Sequence, residues 1–353
     1  MTSPSPLSRR GTVLAGVLAA VALGAPAAAS ADTIVYVRGD NVWRMAPDGQ
    51  GKKALTTDGT SASKYRRPRI ADDGTIWALK GKDIVHLSYD GTKLKQLTPA
   101  APVDSEGVAS DDDPEFLDLS PDGTKLAYGV DNLRCKDDGS CNFDGITAII
   151  DVASGKTLSQ DTRLNDAAFL TNDKLIGSDG QWEREVRVDT LGGPSVLWYT
   201  DGVEMHAGQP GVSREFAISR DGSKLAALRT ISGGVAVTTY NLDAGAGPAG
   251  YALPRLACYL QPVNGTGASP TWSPDGTKLA AAGPTSISVV DFGASGHDNG
   301  ACEKAKAVDV APKGADQPDW GPYPVPPPPP PAPPADPAPP APPAPPAPPA
   351  PKP

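Results

Sequence analysis

Between residues 32 and 322 the chain alternates short apolar runs with short polar turns. The stretch FLDL-SPDGT-KLAYGV at 116–130 shows the unit: an apolar run, a Ser-Pro-Asp-Gly-Thr turn and a second apolar run. Asp suits such a turn because its carboxylate bonds the backbone two residues on, and Gly accepts the positive φ the turn needs. Apolar runs flanking a turn of this type predict a β-hairpin. The turn recurs as ADDGT at 71–75, SPDGT at 120–124, TNDKL at 171–175, SRDGS at 219–223 and SPDGT at 273–277. Its aspartates, at 73, 122, 173, 221 and 275, lie 49, 51, 48 and 54 residues apart.

A second hairpin follows within most periods. DIVHLSYDGTKLKQLT at 83–98 and NVWRMAPDGQGKKALT at 41–56 match closely, and TAIIDVASGKTLS and REVRVDTLGGPSVLW are looser copies. Each period near fifty residues therefore holds four antiparallel strands, a to d. That is the blade of a β-propeller, and blades must stack because none can bury both of its faces alone. The ends set the count. TIVYVRGDNVW supplies strands b and c with no strand a before them, while QPDWGPYP aligns with SPTWSPDG as a strand a with no b after it. The C-terminal strand is expected to complete the first blade and close a ring of six. The predicted fold is all-β, a six-bladed propeller over 32–322.

The unit WSPDGTKLA at 272–280, with YDGTKLKQLT at 89–98, resembles the TolB-like propeller repeat, also called the WD40-like β-propeller repeat. The resemblance covers nearly all of 32–322. It implies a periplasmic protein-binding module, without the N-terminal α/β domain that such proteins usually carry. Its motif residues build turns and are silent on function.

Two segments fall outside the ring. Residues 1–31 carry Arg9-Arg10, an apolar stretch from Val13 to Leu23 and Ala29-Ser30-Ala31, which reads as a secretory signal peptide. The arginine pair also suits a twin-arginine route. Residues 323–353 are dominated by Pro and Ala, and the expected conformation is a polyproline II spacer of ~90 Å, at about 3.1 Å per residue. An exported, extracytoplasmic, cell-wall-associated monomer is expected, with no membrane span. Lys and Arg number 32 against 41 Asp and Glu, and loss of Arg9 and Arg10 takes the net charge from −9 to −11. So acidic a chain is a poor match for nucleic acid.

The four cysteines, Cys135, Cys141, Cys258 and Cys302, have no zinc-type spacing, and an even count in an exported chain predicts disulfides. Cys135 with Cys141 would close a local loop, which leaves Cys258 with Cys302. The strand assignment puts Cys258 in a d–a link starting at 257 and Cys302 in a c–d connection, toward opposite faces.

No catalytic signature emerges. His86, His206 and His297 form no H-x-x-x-H pattern, and there is no G-x-S-x-G elbow or phosphate-binding loop. Some propellers of this repeat family are polysaccharide lyases with a histidine-bound metal, and nothing here matches that cluster. The acidic stretch at 103–116 offers a candidate calcium site at Asp104, Glu106, Asp111 and Asp113, though its spacing fits no EF-hand. No other cofactor is expected. In a four-stranded blade the b–c and d–a connections share one face of the ring. The long links 57–66, 100–113, 201–213 and 257–268 and the insert 130–144 all belong to it. Long loops on a rigid scaffold commonly carry binding residues. Candidates on that face are Arg66, Arg67, Asp111, Asp112, Asp137, Trp182, Glu204 and His206. The expected function is a non-enzymatic binding module for a protein or cell-envelope component. The alternative is a polysaccharide lyase or hydrolase working in the central channel.

Overall fold

A computed structural model of the protein describes residues 32–135, 141–161, 164–179, 185–200, 213–231, 234–260, 268–293, 302 and 305–324. The chain opens with β1 (Thr33–Arg38), β2 (Asn41–Met45) and β3 (Lys53–Ala54), the outer three strands of the first blade. Blade 2 is β4 (Tyr65–Ile70), β5 (Ile76–Lys80), β6 (Asp83–Leu87) and β7 (Lys93–Leu97). Blade 3 is β8 (Phe116–Leu119), β9 (Lys125–Cys135), β10 (Cys141–Asp151) and β11 (Thr157–Asp161). Blade 4 is β12 (Leu164–Thr171), β13 (Lys174–Asp179), β14 (Glu185–Thr190) and β15 (Val196–Thr200). Blade 5 is β16 (Ser213–Ile218), β17 (Lys224–Ile231), β18 (Gly234–Asn241) and β19 (Arg255–Leu260). Blade 6 is β20 (Thr271–Trp272), β21 (Lys278–Ala282), β22 (Ile287–Asp291) and β23 (Ala307–Asp309). The last strand, β24 (Ala315–Gly321), returns to the first blade, so that sheet runs β24-β1-β2-β3. All six sheets are four-stranded and antiparallel, as the period predicts.

The repeated SPDGT turn folds the same way in both copies. In the first, the Gly123 amide donates to the Ser120 carbonyl (2.8 Å) and the Asp122 carboxylate accepts from Thr124 N (3.0 Å) and Ser120 Oγ (2.7 Å). In the second, Gly276 N donates to Ser273 O (2.8 Å), and Asp275 accepts from Thr277 N (3.0 Å) and Ser273 Oγ (2.6 Å). Gly123 and Gly276 have φ of 70° and 65°, the left-handed region that glycine enters at no steric cost.

Apolar side chains on alternate sides of each strand fill the gaps between blades. One buried cluster lies at each of the six junctions: 6–1, 1–2, 2–3, 3–4, 4–5 and 5–6. Strand β1 shows why the period-2 pattern matters. Ile34 and Tyr36 face blade 6, and Val35 faces blade 2. Closure rests on β24: Ile34 pairs with Trp320, whose indole is 3% exposed and donates to Asp32 Oδ2 at 2.9 Å. The packed chain continues to Tyr323, one residue beyond the expected end of the ring. Its ring lies 4.4 Å from that of Tyr89, and a Cβ on Gly74 would meet it at 2.6 Å.

Cys258 and Cys302 form a disulfide with a Cα–Cα distance of 5.6 Å, tying the outer strand of blade 5 to the c–d connection of blade 6. The opposite-face objection fails because β19 runs to Leu260, so Cys258 sits inside a strand and not in a link. Cys135 and Cys141 are register partners at the end of the β9–β10 ladder. No helix among the described residues is long and apolar enough to cross a membrane.

Trp320→Ala is expected to cost about 3–5 kcal/mol, as for other large-to-small core changes. Calorimetry should show a large fall in the unfolding midpoint, against none for Leu253→Ser at an exposed site. Equal midpoints for the two variants would contradict closure through β24.

Candidate functional site

Each inner strand pairs with its b strand on one side and faces the channel on the other. Most inner strands also carry an irregularity near their start. The ladder shifts between Arg66 and Arg69, Asn165 and Ala168, and Arg214 and Ala217, and opposite β24 between Val35 and Val37. At these bulges and at the matching position of blade 6 stand non-glycine residues with positive φ: Arg67 (47°), Asp166 (48°), Glu215 (52°), Gln317 (50°) and Ser269 (40°). A bulge re-aims a side chain, and here it sends polar groups to the axis. Blade 3 is the exception. Its equivalent residue, Phe116, stays in register with Gly129, where a Cβ would lie 1.8 Å from the Phe116 ring.

These groups plug the channel toward its long-loop end. Arg67 crosses from blade 2 to blade 5, opposite in the ring, and meets Glu215 Oε1 at 3.1 Å. It also bonds Ser269 Oγ and, through Nε, the Glu115 carbonyl (2.9 Å). Glu215 Oε2 accepts from Ser269 N (2.6 Å), and Gln317 Oε1 accepts from Arg67 N (2.8 Å). The Arg67 and Glu215 side chains are 12% and 5% exposed, so the pair is shielded from water. Only a void of about 20 Å³ remains among them.

One layer toward the tight turns lies a second polar ring. Arg69 Nε reaches Asp118 Oδ1 (3.2 Å) and the Leu117 carbonyl (2.8 Å), and its Nη1 lies 3.7 Å from Asp319 Oδ1. Asp319 Oδ2 accepts from Ile70 N (2.8 Å), Asp118 Oδ2 from Phe169 N (2.7 Å) and Thr271 Oγ1 from Trp320 N (3.1 Å). Burial pushes the Asp118 carboxyl up to about 6, with Arg69 pulling the other way. Burial likewise raises Asp316, near Arg67, to about 6.

Above this ring the channel widens into a cavity of ≈ 1000 Å³ that opens between the tight turns. Its walls include Trp77, Phe169, Phe216, Tyr251, Trp272 and Trp320, with polar groups from the Asp118 ring and the turns of blades 2 to 5. Its volume lies in the range of ligand pockets, and its lining is about as polar as it is apolar. His86 reaches it too, stacked 3.9 Å from the Trp77 ring. Burial lowers its pKa, which favours the neutral imidazole.

The long-loop candidates are placed as follows. Arg66 is 7% exposed and pairs with Glu115 (2.9 Å) and Asp113 (3.3 Å), tying blade 2 to the link before blade 3. Arg67 forms the plug. Asp111 is exposed and pairs with Lys82, and Asp112 takes a hydrogen bond from Ser110 Oγ onto its carboxylate at 3.5 Å. Asp137, Trp182, Glu204 and His206 lie outside the described residues. In the candidate calcium stretch, Asp104 Oδ1 accepts from Glu106 N (2.9 Å) and Val108 N (2.8 Å), and Asp113 is paired with Arg66. No group of three or more metal-ligating side chains converges among the described residues. The residues that sequence reading passed over are Arg69, Asp118, Glu215, Thr271, Gln317 and Asp319. Their one signal is a polar letter at the same point of successive inner strands.

No protein-family model matches the sequence, and a search of curated proteins returns no match. Among solved structures the chain is similar to TolB from Acinetobacter baumannii, at 14% identity and a TM-score of 0.53 over 82% of this chain. It spans 66% of that protein's length. It is also similar to the β-propeller domain of Cps50 (Swd1) from Myceliophteria thermophila, at 12% identity and TM-score 0.42 over 69% of this chain and 85% of that one. A third is oligogalacturonate lyase from Vibrio parahaemolyticus, at 12% identity and TM-score 0.44 over 77% and 71%. At these identities the likeness to TolB establishes the shared propeller fold alone.

Glu215→Ala should strand the Arg67 guanidinium in the plug and cost about 3–5 kcal/mol, as other broken buried pairs do. Glu215→Gln, which keeps acceptors for Ser269 N, should cost less, and equal losses in chemical denaturation would contradict the plug. Asp118 gives a pH test. Its carboxyl is held at about 6 in the fold against an ordinary aspartate value of 3.8 in the unfolded chain, so the folded state keeps a proton that the unfolded chain gives up. That contribution is complete below about pH 4 and lost as pH rises through about 6. The stability of the native protein relative to Asp118→Asn should therefore fall across that window, and a constant difference would exclude the burial effect.

Proposed function

We propose that this protein is an exported, non-enzymatic binding module, a rigid six-bladed ring that takes a protein or cell-envelope component at the tight-turn mouth of its channel. One observation carries this reading. The channel is plugged by Arg67 and Glu215 at one end and opens at the other into a ≈ 1000 Å³ cavity with aromatic walls. The resemblance of the repeats to TolB-like propellers supports a protein partner. The Cys258–Cys302 bond suits an oxidising, extracytoplasmic compartment. On this reading the chain acts as a monomer after removal of residues 1–31, and the proline-rich tail is a spacer. Nucleic acid is an unsuitable ligand for a mature charge of −11.

A second reading draws on Asp118. A carboxyl held near 6 beside Arg69, at the base of an open cavity, has the perturbed titration expected of a general acid. A polysaccharide-acting lyase or hydrolase would use the same cavity. Both Asp118 oxygens are already engaged, by Arg69 and by Phe169 N, and that weighs toward a structural role.

Affinity capture from the native envelope separates the readings. The mature ring should retain a specific component, with or without the tail. Ala217→Phe, which fills the cavity from its wall, should lose it while keeping its unfolding midpoint. Identical retention by both forms, or none above a blank matrix, would count against the cavity as the binding site. Turnover of a polysaccharide that Asp118→Asn abolishes would favour the enzyme.

A further inference from the structure

The mouth of the cavity is itself spanned. Arg220, in the turn between β16 and β17 of blade 5, pairs through Nη1 with Asp72 in the turn between β4 and β5 of blade 2. Blades 2 and 5 are opposite each other, and both residues line the cavity. The same two blades are therefore joined twice across the axis, by Arg67–Glu215 below the cavity and by Arg220–Asp72 at its mouth. The two ties differ in their access to water. The Arg67 and Glu215 side chains are 12% and 5% exposed, and those of Arg220 and Asp72 are 35% and 65% exposed.

This difference decides what each tie can do. A buried pair cannot part without leaving two charges in a poorly solvated site. An exposed pair separates into water at little cost and is weakened further by salt. Among the described residues no other hydrogen bond or ion pair holds the Arg220 guanidinium, whereas the neighbouring Asp221 carboxylate is fixed by Ser219 Oγ (2.6 Å) and Ser223 N (3.0 Å). The Asp-Gly turns stay rigid, and the Arg220 side chain is the part free to swing.

We propose that the Arg220–Asp72 pair is a latch across the mouth of the channel, closed in the free protein and parted when a ligand enters. The proposal rests on the reading of the cavity as the binding site and adds its regulation. Entry is faster where the pair is screened or removed. A ligand that presents an anionic group to Arg220, or a cationic group to Asp72, replaces the lost partner and holds the latch open.

The test needs no ligand. Ala217→Cys places a thiol on the cavity wall, and its rate of reaction with N-ethylmaleimide reports passage through the mouth, with the unsubstituted protein as the background. From about 0.02 M to about 0.5 M NaCl the screening length falls from ~20 to ~4 Å. The labelling rate should rise about two- to fivefold, the range expected for parting an exposed pair. Arg220→Gln in the same background should label at the faster rate at both salt concentrations. The charge-swapped pair, Asp72→Arg with Arg220→Asp, should restore the slow, salt-dependent rate. If Arg220→Gln labels no faster at low salt, or keeps the salt response, the latch is wrong. That failure is distinct from failure of the binding reading, because Ala217→Phe would still abolish capture of an envelope component if the cavity binds without a latch.

Discussion

A propeller leaves one edge of every inner strand without a strand partner. The amide and carbonyl groups along that edge face the channel, and buried backbone groups must be satisfied somewhere. This ring meets the demand with side chains passed from one blade to the next. Blade 1 gives Gln317 and Asp319 to the amides of Arg67 and Ile70 in blade 2. Blade 3 gives Asp118 to Phe169 of blade 4, blade 5 gives Glu215 to Ser269 of blade 6, and blade 6 gives Thr271 to Trp320 of blade 1. At the 2–3 junction the polarity reverses. Blade 2 offers arginines, which only donate, and they take the carbonyls of Glu115 and Leu117. The 4–5 junction has Ala168 at the equivalent upper position and is filled by an extensive apolar cluster around Trp198, Phe216 and Tyr240.

The clasps explain why the channel is blind. A side chain that reaches the next blade's amide from a strand in register would lie against the wall. The bulges turn Arg67, Glu215 and Gln317 inward, and Ser269 turns in at the matching position of blade 6, at the conformational cost of a positive φ for residues with a Cβ. Once inward, one arginine can satisfy an acid on the far blade, and the plug follows. Phe116 fills the sixth seat without a bulge because Gly129 leaves room for its ring.

Much of the architecture was readable from the sequence because it is local and repeated. A turn of five residues specifies a hairpin through its own hydrogen bonds, and its recurrence near every fifty residues counts the blades. The pairing of β24 with β1 was readable for the same reason, since QPDW repeats SPTW. The channel was not readable in this way. Arg67 and Glu215 are 148 residues apart, and Arg67 and Gln317 are 250 apart. No motif links these three residues, and each reads alone as a charged or polar residue at the start of a strand. Asp118 in FLDL and Asp319 in QPDW could have been noticed as polar letters recurring at one position of an apolar run. That they clasp the next blade depends on ring geometry that no single repeat contains. The Cys258–Cys302 pair shows how much a strand boundary matters. A link begun at 257 put the two sulfurs on opposite faces, and extending β19 to Leu260 brings their Cα atoms within 5.6 Å.

Loop length and cavity position point to different faces. The long links lie at the plugged end, where Arg66 holds Asp113 and Glu115, and those contacts tie blades 2 and 3 together. The open end is bounded by tight turns, and in these Asp73, Asp122, Asp221 and Asp275 accept from backbone amides. Hydroxyl and amide donors hold Asp221 at about 2 although burial opposes ionisation. A mouth made of such turns is stiff, and a stiff rim with a deep cavity behind it suits a ligand that inserts better than one that spreads over a surface. Tyr323 is wedged beside Gly74 on the same rim, so the chain leaves the ring at the face where the cavity opens.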